Sequence, residues 1–186
     1  MKYLIVGLGN MGAEYENTRH NMGFLVIDHL INEHEAKVEH EHLGDLSSIR
    51  HRGRTLFLLK PSTYMNLSGK AVRYWMLKKK VLPENLLVVV DDIHLPFGQI
   101  RMRGKGGDGG HNGLKDIDKM LGTSKYNRLR IGIGKEFYSG QQSDYVLSEW
   151  SSDQKLLLPQ IIKNATDAVK SYVHIGMHRT MNIFNK

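Results

Sequence analysis

Cysteine is absent from the 186 residues of the chain, and proline occurs only four times. Without thiols the protein cannot form disulfides, use a cysteine nucleophile or build a thiolate-rich zinc site. The lack of cysteine fits a reducing compartment, so we expect a cytoplasmic protein whose stability comes from packing.

Long apolar runs are missing as well. The sequence contains no stretch of eighteen apolar residues that could cross a bilayer. The apolar stretch before Gly7 is too short for a signal peptide. Hydrophobic residues still make up 40% of the chain, which is enough for one core in a chain of this length. We therefore expect a single domain over residues 1–186 and no partner in a membrane.

Acidic residues are the scarcer charge: 19 Asp and Glu stand against 26 Lys and Arg, a formal net charge of +7. The excess is concentrated between residues 98 and 130, which hold three acidic and eight basic side chains, a net charge of +5. The basic ones are Arg101, Arg103, Lys105, Lys115, Lys119, Lys125, Arg128 and Arg130. Such clustering indicates a polyanionic partner.

Buried strands and amphipathic helices alternate along the chain. Continuous apolar runs predict strands at residues 3–6, 55–59, 86–90 and 128–134, with an edge strand at 98–103. Helical spacing predicts helices after Asn21, after Ser68, over 114–121 and after Ser151, and the His-rich residues 33–42 read as an exposed helix end and loop. The pattern predicts an α/β fold: a twisted mixed, mostly parallel sheet flanked by helices on both faces.

The first glycines, Gly7, Gly9 and Gly12, match the spacing of a dinucleotide-binding loop. That loop needs a helix to begin within the glycines, yet residues 13–20 are polar and irregular. The acidic residue expected about 20 positions on could only be Asp28, which falls inside a helical pattern. We favour a tight turn over a nucleotide site.

Polar side chains follow several of the predicted strands. Asn10 follows the first strand, with His20 ten residues later; Asn66 follows the second and Asp91 ends the third, while Asn112 follows the glycine-rich stretch. Ligands bind at the carboxyl ends of strands in open α/β sheets, so these side chains are expected to meet there. Asp91 could then orient His20 as a general base. With no cysteine and no nucleophile elbow, the simplest nucleophile is water, and asparagine amides suit ester or amide hydrolysis.

Residues 101–115 join three basic side chains to a glycine-rich backbone and a helix start, which suits phosphate binding, although a mobile solvated loop is the alternative. Tyr64 and Met65 are either core residues or an apolar wall for an adenine or a peptide side chain. The spacing of His34, His40 and His42 matches no ligand pair, so we expect no metal there.

Six segments together resemble the bacterial peptidyl-tRNA hydrolase family, and they occur in the family's order. They are VGLGN at residues 6–10, EYENTRHN at 14–21, YMNLSG at 64–69, DDIHLP at 91–96, GGHNGLKD at 109–116 and RLRIGIG at 128–134. Each segment is weakly informative alone, but the combination is specific.

The resemblance implies hydrolysis of the ester between a peptide and the 3′ ribose of tRNA by a cytoplasmic monomer that needs no metal or cofactor. His20 would be the base, Asp91 its orienting carboxylate, and Asn10 the residue that distinguishes peptidyl from free aminoacyl substrates. Residues matching contacts to the substrate and the CCA end are Tyr15, Tyr64, Met65, Asn66, His111 and Asn112. Residues matching the grip on the tRNA 5′ phosphate are Arg103 and Arg130, which Arg101 and Lys105 would assist.

Two positions depart from the family pattern. His94 stands where an acidic residue is common, and Asp108 where a neutral one is expected. Asp108 brings negative charge into the phosphate loop and is expected to weaken tRNA affinity. Two functions compete with the hydrolase: a non-catalytic RNA-binding domain, favoured by the basic segment, and a nucleotide-dependent oxidoreductase, favoured only by the first glycines.

Overall fold

All strands of the protein join one seven-stranded sheet in the computed structural model, which describes residues 1–186. The strands are β1 (Lys2–Gly7), β2 (Glu39–Glu41), β3 (Gly44–His51), β4 (Arg54–Pro61), β5 (Leu86–Asp92), β6 (Ile100–Arg103) and β7 (Asn127–Gly132). The helices are α1 (Met22–Glu33), α2 (Ser68–Lys79), α3 (Asn112–Leu121), α4 (Gln142–Val146), α5 (Ser152–Ile175) and α6 (Met177–Phe184). Short 3₁₀ turns include Ala13–Tyr15, Arg19–Asn21 and Met65–Leu67.

The sheet is mixed but parallel at its centre, in the order β2-β3-β4-β1-β5-β7-β6. The central strands β4, β1, β5 and β7 run parallel, and the antiparallel strands lie towards the edges. Helices α1 and α5 pack a 26-residue core on one face, while α2 and α3 pack a 17-residue core on the other. The predicted α/β architecture is confirmed. None of the helices combines the length and apolar character needed to cross a membrane.

The predicted loop at residues 33–42 is wrong in part, because β2 lies within it and pairs with the unpredicted strand β3. The two serines Ser47 and Ser48 interrupt the apolar alternation of β3, which hides the strand. Arg52 and Gly53 form the two-residue loop of a β3–β4 hairpin, and both have positive φ. The glycine at position 53 is the one local sequence signal for this turn.

The backbone at the end of β1 and the backbone at the start of α1 are in direct contact, with no side chain between them. A Cβ on Gly23 would lie 2.4 Å from the Leu8 nitrogen and 2.5 Å from the Val89 oxygen. A Cβ on Gly7 would lie 2.2 Å from the Gly23 oxygen. This contact seats α1, and the turn before it, directly against the carboxyl ends of β1 and β5.

We predict that Gly23→Ala lowers the free energy of unfolding by about 2 kcal/mol or more, because the added methyl group meets backbone that cannot move away cheaply. Gly107→Ala is the control, since a Cβ there meets nothing within 4 Å, and it should change stability by less than about 0.5 kcal/mol. Urea denaturation measures both. Equal stability of the two variants would contradict the close packing described here.

Candidate active site

A cavity of about 630 Å³ opens at the carboxyl ends of β1 and β5. The sheet order makes these strands neighbours, so the segments that follow them meet there. The lining residues are Asn10, His20, Tyr64, Met65, Asn66, Asp91, Asp92, Ile93, Asp108, Gly109, Gly110, His111, Asn112, Arg130, Gln142, Ser143, Val146 and Leu147. The convergence predicted for His20, Asp91 and the three asparagines is therefore seen in the structure.

His20 and Asp91 are in direct contact. His20 lies in the turn before α1 and Asp91 lies near the end of β5, and His20 Nδ1 is 2.9 Å from both carboxylate oxygens. Both residues are buried, with 8% and 3% of their surface exposed. The carboxylate therefore holds the proton on Nδ1, and Nε2, which has no partner in the protein, keeps its lone pair at the cavity.

A second histidine, His111, binds the same carboxylate, and this contact was not predicted from the sequence. His111 Nδ1 accepts hydrogen bonds from the backbone N–H groups of Gly113 and Leu114, and so caps α3. Its proton must therefore be on Nε2, which donates to Asp91 Oδ1 at 3.0 Å. Both ring nitrogens of His111 are occupied by protein, so its ring supports Asp91.

Charge and burial act in opposite directions on this network. Burial by itself would lower the pKa of His20, but the charge and hydrogen bond of Asp91 outweigh it and raise that pKa above the ordinary value. Burial would raise the pKa of Asp91, but the charges and hydrogen bonds of His20 and His111 hold it well below its usual range. Asp91 is thus a permanent carboxylate, and His20 is a base of increased strength.

His20, Asp91 and His111 place three potential metal ligands within 4.8 Å of one another. A metal on His111 Nε2 would require the proton to move to Nδ1, and the two backbone N–H groups at the start of α3 would lose their acceptor. The donor set therefore fits a hydrogen-bonded network better than a metal centre.

Every hydrogen-bonding group of Asn10 except its Nδ2 has a partner in the protein. Its Oδ1 accepts from the Met65 backbone N–H at 2.8 Å, and its backbone N–H and C=O both bind the Asn21 side chain. The Asn10 Nδ2 group, which has no protein partner, remains as a donor beside the cavity. Asn66 and Asn112 are exposed on the same cavity; Asn66 lies in the 3₁₀ turn before α2, and Asn112 begins α3.

The remaining predicted residues divide into two groups. Tyr64, 61% exposed, and buried Met65 form part of the cavity lining, as does Arg130. Tyr15 is half-buried in its turn and lies outside the lining, so the structure does not bring it into the cavity. The lining also excludes the cations Arg101, Arg103 and Lys105.

Arg101 and Arg103 lie in the edge strand β6, next to β7, which carries the cavity residue Arg130. Arg101 lies opposite Arg130, and Arg103 lies opposite Arg128, so register places all four side chains on the same face. Arg130 binds the Gly107 carbonyl at 2.6 Å and approaches Asp92 at 3.5 Å.

Buried Arg128 is tied to Asp118, whereas Arg101, Arg103 and Lys105 form no ion pair.

His94, which follows β5, and Asp108, in the glycine-rich loop, both form hydrogen bonds to the turn at Gly109 and Gly110. His94 Nε2 lies 3.0 Å from the Gly109 carbonyl, and Asp108 Oδ1 accepts from the Gly110 N–H at 2.7 Å. Gly109 and Gly110 both have positive φ, so Asp108 helps to hold a conformation that favours glycine.

The glycines near the N-terminus do not start a helix. Two short 3₁₀ turns, Ala13–Tyr15 and Arg19–Asn21, follow them, and α1 begins only at Met22. A dinucleotide loop needs the helix N-terminus beside its phosphates, so this alternative lacks its essential element.

We predict that the His20 ring has a higher pKa than an ordinary histidine in the wild type, and that Asp91→Asn lowers this pKa because burial then acts without the opposing carboxylate. NMR of the ring C–H signals measures both. Asp167→Asn is the control, since Asp167 pairs with Lys163 and Lys170 on α5. A titration that stays in place in Asp91→Asn would show that the carboxylate does not set the basicity of His20.

Comparison with known proteins identifies the family. A family model described as peptidyl-tRNA hydrolase matches residues 4–186. The peptidyl-tRNA hydrolases of Cytophaga hutchinsonii and Azobacteroides pseudotrichonymphae are each 50% identical to the chain; the matches cover all of this chain and 98% and 100% of those proteins.

A crystal structure of peptidyl-tRNA hydrolase from Acinetobacter baumannii superposes with a TM-score of 0.93 at 36% identity, covering 98% of this chain and 94% of that one. The family model covers nearly the whole chain, and the curated relatives match it from end to end. The chain therefore belongs to the peptidyl-tRNA hydrolase family.

Proposed function

We propose that this protein, acting as a one-domain monomer over residues 1–186, hydrolyses the ester that joins a peptide to the 3′ ribose of tRNA. The observation that carries the proposal is the buried contact between His20 and Asp91, 71 positions apart in the chain, at the wall of an open cavity. Family membership supplies the substrate class, and the cavity supplies a base, a fixed carboxylate and neutral hydrogen-bond donors.

The reaction begins with a water molecule bound at His20 Nε2. The lone pair takes a proton from this water as its oxygen attacks the ester carbonyl carbon, and Asp91 stabilises the imidazolium that forms. The tetrahedral intermediate then expels the ribose oxygen, which takes the proton from His20. The products are the free peptide acid and tRNA with a free 3′-terminal hydroxyl group, and His20 returns to its starting state.

Neutral amides suit the other tasks of the site. Asn66 and Asn112 are exposed on the cavity and can donate to the oxygen that gains charge during attack. Asn10 Nδ2 can donate to the carbonyl of the peptide bond that precedes the ester, a group that a free aminoacyl-tRNA lacks. The rigid hold on Asn10 by Met65 and Asn21 supports this selective role.

The cations beyond the cavity suit the RNA part of the substrate. Arg101, Arg103 and Lys105 have no carboxylate partner and can bind the tRNA 5′ phosphate near the acceptor end, together with Arg130. The 3′ CCA end then lies along exposed Tyr64 towards the cavity, where an aromatic ring can stack on a base.

The first test uses the purified wild-type protein with an N-acetylated aminoacyl-tRNA and its unblocked counterpart. We predict cleavage of the blocked ester and little cleavage of the unblocked one, measured as release of labelled amino acid. Binding of both substrates without any cleavage would instead favour an RNA-binding domain.

His20→Ala should fold and bind tRNA but lose about 10²–10⁴-fold in kcat, because the general base is gone. The control is His40→Ala, whose exposed ring contacts only Asp45 among the acidic side chains, and it should keep the wild-type rate. Single-turnover hydrolysis measures the rate of the chemical step separately from tRNA binding. A rate near wild type in His20→Ala would refute the assigned role.

Arg103→Ala should weaken tRNA binding and make the plot of log Kd against log salt shallower by about one unit, since one phosphate contact is lost. Hydrolysis of a minimal ester that lacks the RNA body should be unchanged. Lys163→Ala, which removes an exposed cation on α5, is the control and should leave the slope unchanged. Equal loss on both substrates would contradict a phosphate contact at Arg103.

A further inference from the structure

Arg19 is a buried cation without a carboxylate partner. It directly precedes His20 in the turn before α1 and is only 7% exposed, yet no ion pair of the protein includes it. Buried charges are usually paired, because removing an ion from water is costly. An apolar residue would be the cheaper occupant if this position served packing alone.

The guanidinium of Arg19 connects three segments. Its Nη1 donates to Ser148 Oγ and lies 3.4 Å from the Tyr145 carbonyl, and its Nη2 donates to Gln154 Oε1 at 2.9 Å. The Arg19 Cζ atom is 4.3 Å from the centre of the Tyr145 ring, so the ring face also stabilises the charge. One side chain thus ties α4, the residues after it and the first turn of α5 to the His20 turn.

Residues 142–150, called the strap here, are joined to the same turn by the backbone. The Arg19 N–H donates to the Ser148 carbonyl at 3.1 Å, and Thr18 forms an isolated antiparallel bridge with Glu149. Four strap residues belong to the lining of the cavity: polar Gln142 and Ser143, and apolar Val146 and Leu147. The strap is therefore at once a wall of the cavity and a segment anchored beside the general base.

We propose that Arg19 is a positioning residue that holds the strap at a fixed place relative to His20, and so keeps the apolar wall ready for the peptide part of the substrate. This inference rests on the proposed function, because apolar Val146 and Leu147 suit a peptide side chain rather than RNA phosphate. His20 is oriented independently by Asp91. Loss of Arg19 therefore weakens substrate binding more than it slows the chemical step.

The test is Arg19→Lys, which keeps the charge but loses the planar fork that reaches several acceptors. KM for an N-acetylated aminoacyl-tRNA should rise about tenfold, while kcat stays within about threefold of wild type. Amide hydrogen exchange of residues 142–150 should become faster well below the melting temperature. A residue with a merely structural role would lower the melting temperature and leave KM and strap exchange at their wild-type values, which would overturn the proposal.

Ser151→Ala is the matched control. Ser151 Oγ accepts from the Gln154 N–H to cap α5, so this variant weakens the same helix end while Gln154 Oε1 remains available to Arg19. It should lower stability without raising KM. An equal rise of KM in Ser151→Ala would assign the effect to the helix end and overturn the role of Arg19.

If Arg19→Lys does not fold, the double variant S148A/Q154A removes two acceptors from the strap and α5 and tests the same bridge from the other side. It should raise KM and speed strap exchange, whereas wild-type values for both would overturn the proposal. Strap exchange is measured without substrate. A wild-type protein that cleaves no blocked ester would therefore refute the proposed function separately from the strap anchor.

Discussion

The buried Asp91 carboxylate accepts hydrogen bonds from two imidazoles, and the chemistry of the site depends on this arrangement. His20 and His111 both donate to it, at 2.9 and 3.0 Å. Each ring is thereby restricted to one tautomer: His20 presents an unprotonated Nε2 to the cavity, while His111 is committed to the protein on both sides. One permanent negative charge therefore both orients the base and stabilises the cation that the base becomes.

The fold brings these groups together through its sheet order and one close backbone contact. Parallel β1 and β5 are neighbours, so the turn after β1 and the end of β5 open on the same cavity. The absence of side chains at Gly7 and Gly23 allows α1, and the His20 turn that precedes it, to lie against both strands. The cap that His111 makes at the start of α3 brings the glycine-rich loop back to Asp91.

The sequence predicted correctly those parts of the molecule that have strong local patterns or follow from simple sheet geometry. The apolar runs of β1, β4 and β5 predicted the parallel centre of the sheet. Because ligands bind at the carboxyl ends of strands, the sequence also predicted that His20 lies close to Asp91. β3 was missed because two serines break its alternation.

The hydrogen bond from His111 to Asp91 depends on the path of the loop before α3, and no local sequence pattern predicts that path. Arg19 was likewise missed, since its acceptors lie about 130 positions away in an unremarkable polar segment.

The tautomeric state of the two histidines can be read from ¹⁵N chemical shifts and long-range ¹H–¹⁵N couplings of the imidazole rings, and it tests directly how Asp91 orients His20. At a pH where both rings are neutral, we predict that His20 carries its proton on Nδ1 and His111 carries its proton on Nε2. A proton on His20 Nε2 would leave the base without its lone pair at the cavity and would rule out the orientation of His20 by Asp91.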